Sequence, residues 1–234
     1  MEIQNIRYLG HSAILLEGKD KIIAIDPWLS NPKCPQEYRE LTKLDLIILT
    51  HGHSDHAGDA VALAKHHNCE VLATYELAMI IGSEGVNSEK LIPMNKGGTL
   101  LWNSLQISLV HAQHSNSYDS SHGTIYAGEA CGVVIQDRNN SIYHAGDTEL
   151  FSDMKLIKEL YSPNIALLPI GDRFTMGPTA AAHAANLINP VKLIPIHHST
   201  FPPLTGTVAE LREKMLLSDT EIVDLKPGEA LEIS

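Results

Sequence analysis

The chain has 234 residues, of which 44% are hydrophobic and 19% charged, and its formal net charge is -11. This length and composition predict one soluble globular domain over residues 1–234 with a substantial core. No cluster of Lys or Arg accompanies the negative charge, so nucleic acids and anionic membranes are disfavoured as partners. No apolar run is long enough to span a bilayer.

The cysteines indicate the redox environment. Cys34, Cys69 and Cys131 are far apart, odd in number and free of any C-x-x-C motif. A disulfide framework is therefore not expected, and a reducing cytoplasm is the predicted location. The first residues carry neither a basic region nor a long apolar stretch, so no signal peptide is expected.

Short apolar runs and turn residues predict the elements in chain order. Strands are expected over 3–9, 12–17, 21–25, 44–49, 70–74, 105–112, 131–136, 141–144, 165–169 and 192–196, with closing strands near Ile222 and Leu231. Helices are expected over 57–67, 76–81, 150–160, 179–188 and 208–217. An early meander followed by alternating strands and helices predicts an α+β fold, with two sheets sandwiched between helical layers.

Metal-capable side chains are concentrated in the segment His51-Gly52-His53-Ser54-Asp55-His56, directly after the buried strand over 44–49. A tight loop leaving a strand can aim several ligands at one point, and zinc sites use His nitrogen and carboxylate oxygen. His51 and His53 can reach one metal, and Asp55 and His56 a neighbouring one. Two metals need more ligands than this segment contains, so other parts of the chain should contribute.

Three further strand ends carry suitable side chains. His114 follows one strand, and its rival His111 is expected to pack within the fold because alternation places it on the apolar face. Asp147 follows another strand, where a turn or helix-cap role is the alternative. The third strand end carries His197 and His198, of which only one is expected to be a ligand. Strand ends are where an α/β architecture gathers a site.

These motifs resemble those of the metallo-β-lactamase superfamily. Its signature H-x-H-x-D-H stands at residues 51–56, and its later motifs match His114, Asp147 and His197. Leu9-Gly10-His11-Ser12 and residues 169–178 and 194–197 resemble a branch of small metal-dependent hydrolases. That branch is related to the bacterial L-ascorbate-6-phosphate lactonase and, more distantly, to N-acyl-phosphatidylethanolamine phospholipase D. One departure is His198, where the branch usually carries Tyr.

The resemblance implies a four-layer αββα sandwich with the site at one edge of the two sheets. It implies two divalent metal ions, with zinc favoured and manganese or iron as alternatives. The implied ligands are His51, His53 and His114 for one ion, and Asp55, His56 and His197 for the other, with Asp147 bridging. A metal-bridging hydroxide would attack the substrate, with Asp55 as the catalytic residue that orients it.

Other residues are candidates for supporting roles. Asp26 is either an acceptor for the N–H of a ligand His or a turn residue. His11 is the first candidate for a substrate contact or proton donor, and Asp172 is the second. His122 lies in a polar loop over 115–128 that is expected to border the mouth of the site. His144 is expected to be structural.

The leading hypothesis is a metal-dependent hydrolase that cleaves a lactone, ester or phosphodiester bond in a small cytosolic metabolite. A nucleic-acid phosphodiesterase is the weaker enzyme alternative, because no basic arm is visible. The non-enzyme alternative is a metal-stabilised binding or regulatory protein without turnover. The sequence leaves homo-oligomer formation open.

Overall fold

Two mixed β-sheets form the centre of the molecule, in a computed structural model that describes residues 1–120, 123–215 and 219–233. The strands are β1 (Ile3–Tyr8), β2 (Ile14–Gly18), β3 (Ile22–Ile25), β4 (Leu46–Ile48), β5 (Glu70–Thr74), β6 (Leu91–Met94), β7 (Thr99–Trp102), β8 (Leu105–His111), β9 (Ser117–Ser120), β10 (Gly123–Tyr126), β11 (Cys131–Gln136), β12 (Ser141–His144), β13 (Ile165–Pro169), β14 (Lys192–Ile196), β15 (Glu221–Ile222) and β16 (Ala230–Glu232). The helices are α1 (Ser54–Ala57), α2 (Ala60–His67), α3 (Tyr75–Ser83), α4 (Met154–Tyr161), α5 (Pro178–Ile188) and α6 (Val208–Lys214).

Each large sheet has seven strands. The first runs in the order β16-β1-β2-β3-β4-β5-β6 and the second in the order β15-β14-β13-β12-β11-β8-β7, while β9 and β10 form a separate hairpin. The meander β1-β2-β3 is antiparallel, and β3 to β6 are parallel. In the second sheet β8-β11-β12 are antiparallel, and β12 to β15 are parallel.

Alternation along single strands divides the core into three parts. In β4, Leu46 and Ile48 join the apolar cluster between the two sheets, whereas Ile47 joins the cluster beneath α2 and α3. In β13, Leu167 faces the other sheet and Leu168 faces the cluster beneath α4, α5 and α6. Successive strand residues point to opposite faces, so both faces of each sheet are buried. This arrangement is the expected single-domain αββα sandwich, and the prediction is confirmed.

Some predicted boundaries were wrong. The helix expected over 57–67 begins at Ala60 as α2, because residue 57 is the end of the separate helix α1, and α4 begins at Met154 rather than at residue 150. Residues 216 and 217 of the last predicted helix lie outside the described residues, as does His122. No helix in the described parts of the chain is long and apolar enough to cross a membrane.

Four strands escaped prediction because they lack an apolar alternation or lie at an edge. β6 and β7 are edge strands, and β6 contains Pro93, which an edge tolerates because one of its sides needs no ladder hydrogen bond. β9 and β10 pair only with each other in the segment predicted to be a loop. None of their residues is fully buried, so they show no apolar alternation of the kind that predicts a strand.

His111 was also predicted wrongly. It continues the face of Leu105, Ile107 and Leu109, yet its side chain is exposed because β8 reaches the molecular surface there. Its ring contacts Phe151, with 4.8 Å between the ring centroids.

Shortening the Leu46 side chain tests how much its burial in β4 contributes to stability. Leu46 is 0% exposed between the sheets, whereas Leu101 on edge strand β7 is 72% exposed. We expect Leu46→Ala to lower the free energy of unfolding by about 2–5 kcal/mol, because a cavity adds to the lost apolar burial. The matched control Leu101→Ala should change it by less than about 0.5 kcal/mol. Urea unfolding in the presence of a chelator measures both, and equal effects would contradict this account of the core.

Candidate metal centre

Four strand ends converge at one edge of the sandwich. β4 of the first sheet leads to His51, and β8, β12 and β14 of the second lead to His114, Asp147 and His197. The two sheets are joined at this point, since the Cys131 N–H donates to the Thr50 carbonyl at 3.0 Å. Side chains from both sheets therefore meet in one place.

The turn before Asp147 approaches β4 closely. Gly146 has a φ of 62°, and a Cβ atom there would lie 2.8 Å from Cβ of Thr50. Only glycine fits both this backbone conformation and this spacing. The sharp turn brings the Asp147 carboxylate beneath the His51–His56 segment.

A fully buried carboxylate fixes the orientation of the rings in the first sheet. Asp26 Oδ1 accepts the Thr50 N–H at 2.8 Å, and Asp26 Oδ2 accepts the Thr50 hydroxyl at 2.6 Å. His56 Nδ1 also donates to Asp26 Oδ2, at 2.8 Å. Since Nδ1 of His56 holds the proton of this bond, Nε2 is left to face the centre of the site. Asp26 thus accepts the N–H of a candidate ligand His, which is one of the two roles predicted for it.

Thr50 fixes the tautomer of the His51 ring in a similar way. The hydroxyl of Thr50 has one proton, which it donates to Asp26, so its oxygen accepts from Nδ1 of His51 at 3.0 Å. Nε2 of His51 is therefore the lone-pair atom that points inwards. Sequence reasoning missed Thr50, because a hydroxyl next to a His motif has no distinctive pattern.

The first candidate cluster contains His51, His53 and His114, whose ligand atoms all lie within 4.8 Å of one another. Nε2 of His51 and Nδ1 of His53 are 3.0 Å apart. The His114 ring lies 5.2 Å from each of the other two ring centroids. Three converging imidazoles form a donor set that suits zinc and neighbouring transition metals.

The second candidate cluster contains His11, Asp55, His56 and His197, again with their ligand atoms within 4.8 Å of one another. Asp55 Oδ2 lies 3.0 Å from Nε2 of His11 and 3.8 Å from Nε2 of His197. His197 rather than His198 faces the site, because the half-buried His198 instead contacts the Ser199 hydroxyl.

Asp147 lies between the two clusters. Its Oδ2 is 3.6 Å from Nε2 of His114, 4.0 Å from Nε2 of His51 and 3.1 Å from Nε2 of His197. Its Oδ1 is 3.2 Å from Nε2 of His56. The side chain is 3% exposed, so this one carboxylate serves imidazoles of both groups in a largely water-free environment.

The charges of the site perturb each other strongly. Burial alone would raise the pKa of Asp147, but the His197 and His56 rings hold it well below its usual range. Burial alone would lower the pKa of His197, but the carboxylates of Asp147 and Asp55 raise it to about 9. The pKa of His56 is likewise raised, against burial, by Asp147 and Asp26. Without metal, protons on these rings balance the carboxylates.

The residues fit a bound cation. Nε2 of His56, both ring nitrogens of His197 and Oδ1 of Asp147 are buried and make no hydrogen bond of acceptable geometry, although the Nε2 atoms lie within ion-pair distance of Asp147. Such atoms are costly to bury unless they have a partner. A cation would satisfy the inward-facing nitrogens and the carboxylate oxygen together.

The remaining predicted residues lie around this centre. His11 is 0% exposed and lies beneath Asp55, while Asp172 is exposed in the loop before α5. His144 is buried and structural, since its Nε2 donates to the Ser12 carbonyl and its Nδ1 accepts from Gly146. The substrate roles of His11 and Asp172 stay predictions.

Two aromatic rings that the sequence did not single out border the Asp55 side. Trp28 and Phe201 lie 5.7 Å apart, and each packs edge-on against His11 at 5.3 and 5.6 Å respectively. Phe201 keeps 36% of its surface exposed. Single aromatic residues in loops give no sequence signal of this kind, because only tertiary contacts bring them to the site.

A family model described as the β-lactamase superfamily domain matches residues 21–198, a range that includes every candidate ligand except His11. The chain belongs to this superfamily. A UPF0173 metal-dependent hydrolase of Koribacter versatilis is 43% identical over 234 residues, which covers 98% of this chain and 99% of the relative. Another from Methanopyrus kandleri is 44% identical over 230 residues, covering 97% of this chain and 99% of the relative.

The solved structure of Igni18, described as a novel metallo hydrolase from the archaeon Ignicoccus hospitalis, is also similar. It has 33% sequence identity and a TM-score of 0.89, and the match covers 100% of this chain and 99% of that one. The chain therefore belongs to the UPF0173 family of metal-dependent hydrolases and has the metallo-β-lactamase fold, and the predicted class of metal-dependent hydrolase is confirmed.

Removal of the Asp26 charge tests the orientation of the rings. We expect Asp26→Asn to lower metal affinity about 10–100-fold, because His51 and His56 lose the acceptor that sets their tautomers. Competition with a chromophoric chelator measures the affinity. Asp153→Asn, at an exposed position before α4, is the matched control and should bind like wild type. Unchanged affinity in Asp26→Asn would contradict this role.

The raised pKa of His197 gives the metal-free protein a characteristic pH dependence. Protonated His197 stabilises the fold fully below its unfolded pKa of about 6.5, and this stabilisation is lost as the pH rises through about 9. We expect the melting temperature of metal-free protein to fall between about pH 7 and 9. Metal-loaded protein should not show this fall, because the cation replaces the proton.

Differential scanning fluorimetry across this range is the measurement. Metal-free His197→Gln should show a smaller fall, since one of the two raised imidazoles is removed. The same fall in loaded and metal-free protein would rule out His197 as its origin.

Proposed function

We propose that this hydrolase cleaves a lactone, ester or phosphodiester bond in a small metabolite, with two divalent cations, zinc in the first instance. The observation that carries the proposal is the position of Asp147, whose carboxylate lies within about 4 Å of imidazoles from both clusters. Each of the two clusters would hold one cation, and Asp147 would contact both cations.

The chemistry of the cations is general. A pair of divalent ions supplies Lewis acidity and lowers the pKa of water towards about 7, which makes a nucleophile available at neutral pH. The chain supplies the rest. Asp26 and Thr50 keep the rings of His51 and His56 in the tautomers that present Nε2 to the site. Because these rings are buried and held by hydrogen bonds, little reorganisation is needed during the reaction.

Asp55 is the carboxylate that we assign to orientation of the attacking water. It lies on α1 and belongs to the second cluster, and its side chain is 30% exposed, more than that of Asp26 or Asp147. An exposed oxygen can accept a hydrogen bond from a water molecule that approaches the substrate. His11 occupies the other side of Oδ2 and limits the rotation of the carboxylate.

The rim suits a small substrate with an apolar part. Trp28 and Phe201 offer aromatic surface beside His11, which contacts Asp55. The exposed Asp172 lies in the loop whose Met176 N–H donates to the Thr148 carbonyl. The net charge of -11 opposes binding of a nucleic-acid backbone. Lactone opening and phosphodiester cleavage would use the same constellation, and both are candidates for the reaction.

Elemental analysis of gently purified protein tests the proposal first. Turnover of a lactone panel and of bis(p-nitrophenyl) phosphate should then be measured with zinc, manganese or iron restored to chelated protein. Close to two metals per chain with turnover would support the proposal, and the preferred bond would select the reaction. Two metals without turnover on any of these substrates would favour a binding role.

Loss of the shared carboxylate should affect both clusters. We expect Asp147→Ala to lower metal content and to abolish hydrolysis, because imidazoles of both groups lose their common anionic partner. Asp153→Ala, at an exposed position before α4, should retain both. A fully metallated and fully active Asp147→Ala protein would refute the two-metal proposal.

A further inference from the structure

His11 has an unusual position for a residue in a hairpin turn. It joins β1 to β2, has a φ of 56°, and is 0% exposed. Its carbonyl accepts the His197 N–H at 2.7 Å and the Tyr8 hydroxyl at 3.2 Å. The turn is therefore fixed to the end of β14, and the His11 ring is held beside His197 with 4.0 Å between the centroids.

The hydrogen bonds of Thr200 assign the tautomer of His11. The Thr200 hydroxyl donates its single proton to the His198 carbonyl at 3.3 Å. Its oxygen is then the acceptor for Nδ1 of His11, 3.0 Å away. Nε2 of His11 consequently carries a lone pair, as Nε2 does in His51 and His56.

That lone pair faces another acceptor. Nε2 of His11 lies 3.0 Å from Oδ2 of Asp55. Two acceptor atoms at this distance need a proton or a cation between or beside them. Ligands bound at about 2.1 Å to one cation, at angles of about 90–110°, are themselves about 3.0–3.4 Å apart. The spacing therefore fits two neighbouring ligands of one ion.

We propose that Nε2 of His11 is a direct ligand of the cation held by Asp55, His56 and His197. The ligand class is a divalent transition metal that accepts imidazole nitrogen, such as zinc or iron, rather than magnesium or calcium. This inference rests on the proposed two-cation function. The proposal gives the two cation sites unequal donor sets. The His11 cluster provides three imidazoles and the Asp55 carboxylate, whereas the His51 cluster provides three imidazoles. Asp147 lies beside both.

The unequal donor sets have two consequences. The His11 cluster should retain its cation longer during chelation, because it has one more protein ligand. The His51 cluster has fewer protein ligands, so its cation should keep more coordination positions open for water or substrate.

The test is the protonation state of His11 in wild-type protein. Protein with ¹⁵N-labelled histidine is loaded with zinc, and two-bond ¹H–¹⁵N correlations identify bound and proton-bearing ring nitrogens. His11→Gln assigns the signal by its absence. We expect a zinc-shifted Nε2 without a proton and an Nδ1 that carries one. A proton on Nε2 in the zinc-loaded protein would overturn the proposal, because His11 would then donate to Asp55.

Metal affinity provides a second readout. His11→Ala should lower the affinity for one of the two zinc ions and leave the affinity for the other unchanged. The loss should exceed the roughly 10–100-fold expected when a residue that only hydrogen-bonds a metal ligand is removed. His183→Ala, at an exposed position on α5, is the control. Equal retention of both ions in His11→Ala would also overturn the proposal. Fewer than two zinc ions in wild type would instead refute the proposed function, and the spectrum would still show whether His11 binds the ion present.

Discussion

The buried ion network around His56 is the constraint on which the site depends. His56 lies between Asp26, at 2.8 Å, and Asp147, at 3.2 Å, and none of the three side chains is more than 3% exposed. Asp26 belongs to the first sheet and Asp147 to the second. Buried carboxylates of this kind are tolerated only when positive charge and hydrogen bonds compensate them. The compensation is available only where the two sheets meet, so it ties their edges together.

The same constraint explains the irregular backbone at this edge. Asp26, His197 and His11 all have positive φ, at 47°, 53° and 56°. Such conformations cost free energy in residues other than glycine and persist when surrounding contacts hold them. Here the contacts are the hydrogen bonds among Asp26, Thr50 and His56, and the bond from His197 to the His11 carbonyl. The strained residues are the candidate ligands His11 and His197 and the acceptor Asp26, and a fixed geometry at these positions benefits metal binding.

Fold prediction succeeded where burial leaves a repeating pattern. β4 and β13 are buried on both faces, so their apolar runs identify them as strands of a covered sheet. It failed for β9 and β10, which pair only with each other, because β9 is mostly half-buried and β10 is exposed. It failed for His111 because alternation gives the face of a residue but not the point at which a strand reaches the surface.

The sequence by itself determined the class of site, since a dense His and Asp motif after a buried strand restricts several ligands to one short loop. The αββα architecture and the hydrolase family followed from the resemblance of its motifs to a known superfamily, whereas the strand and helix patterns alone indicated only two sheets between helical layers. Tertiary structure alone decided which nitrogen of each ring faces inwards, because tautomers depend on partners such as Thr50 and Thr200 that are set by folding. It likewise selected His197 over His198 and brought His11 to Asp55, since both outcomes depend on contacts between segments more than 40 residues apart.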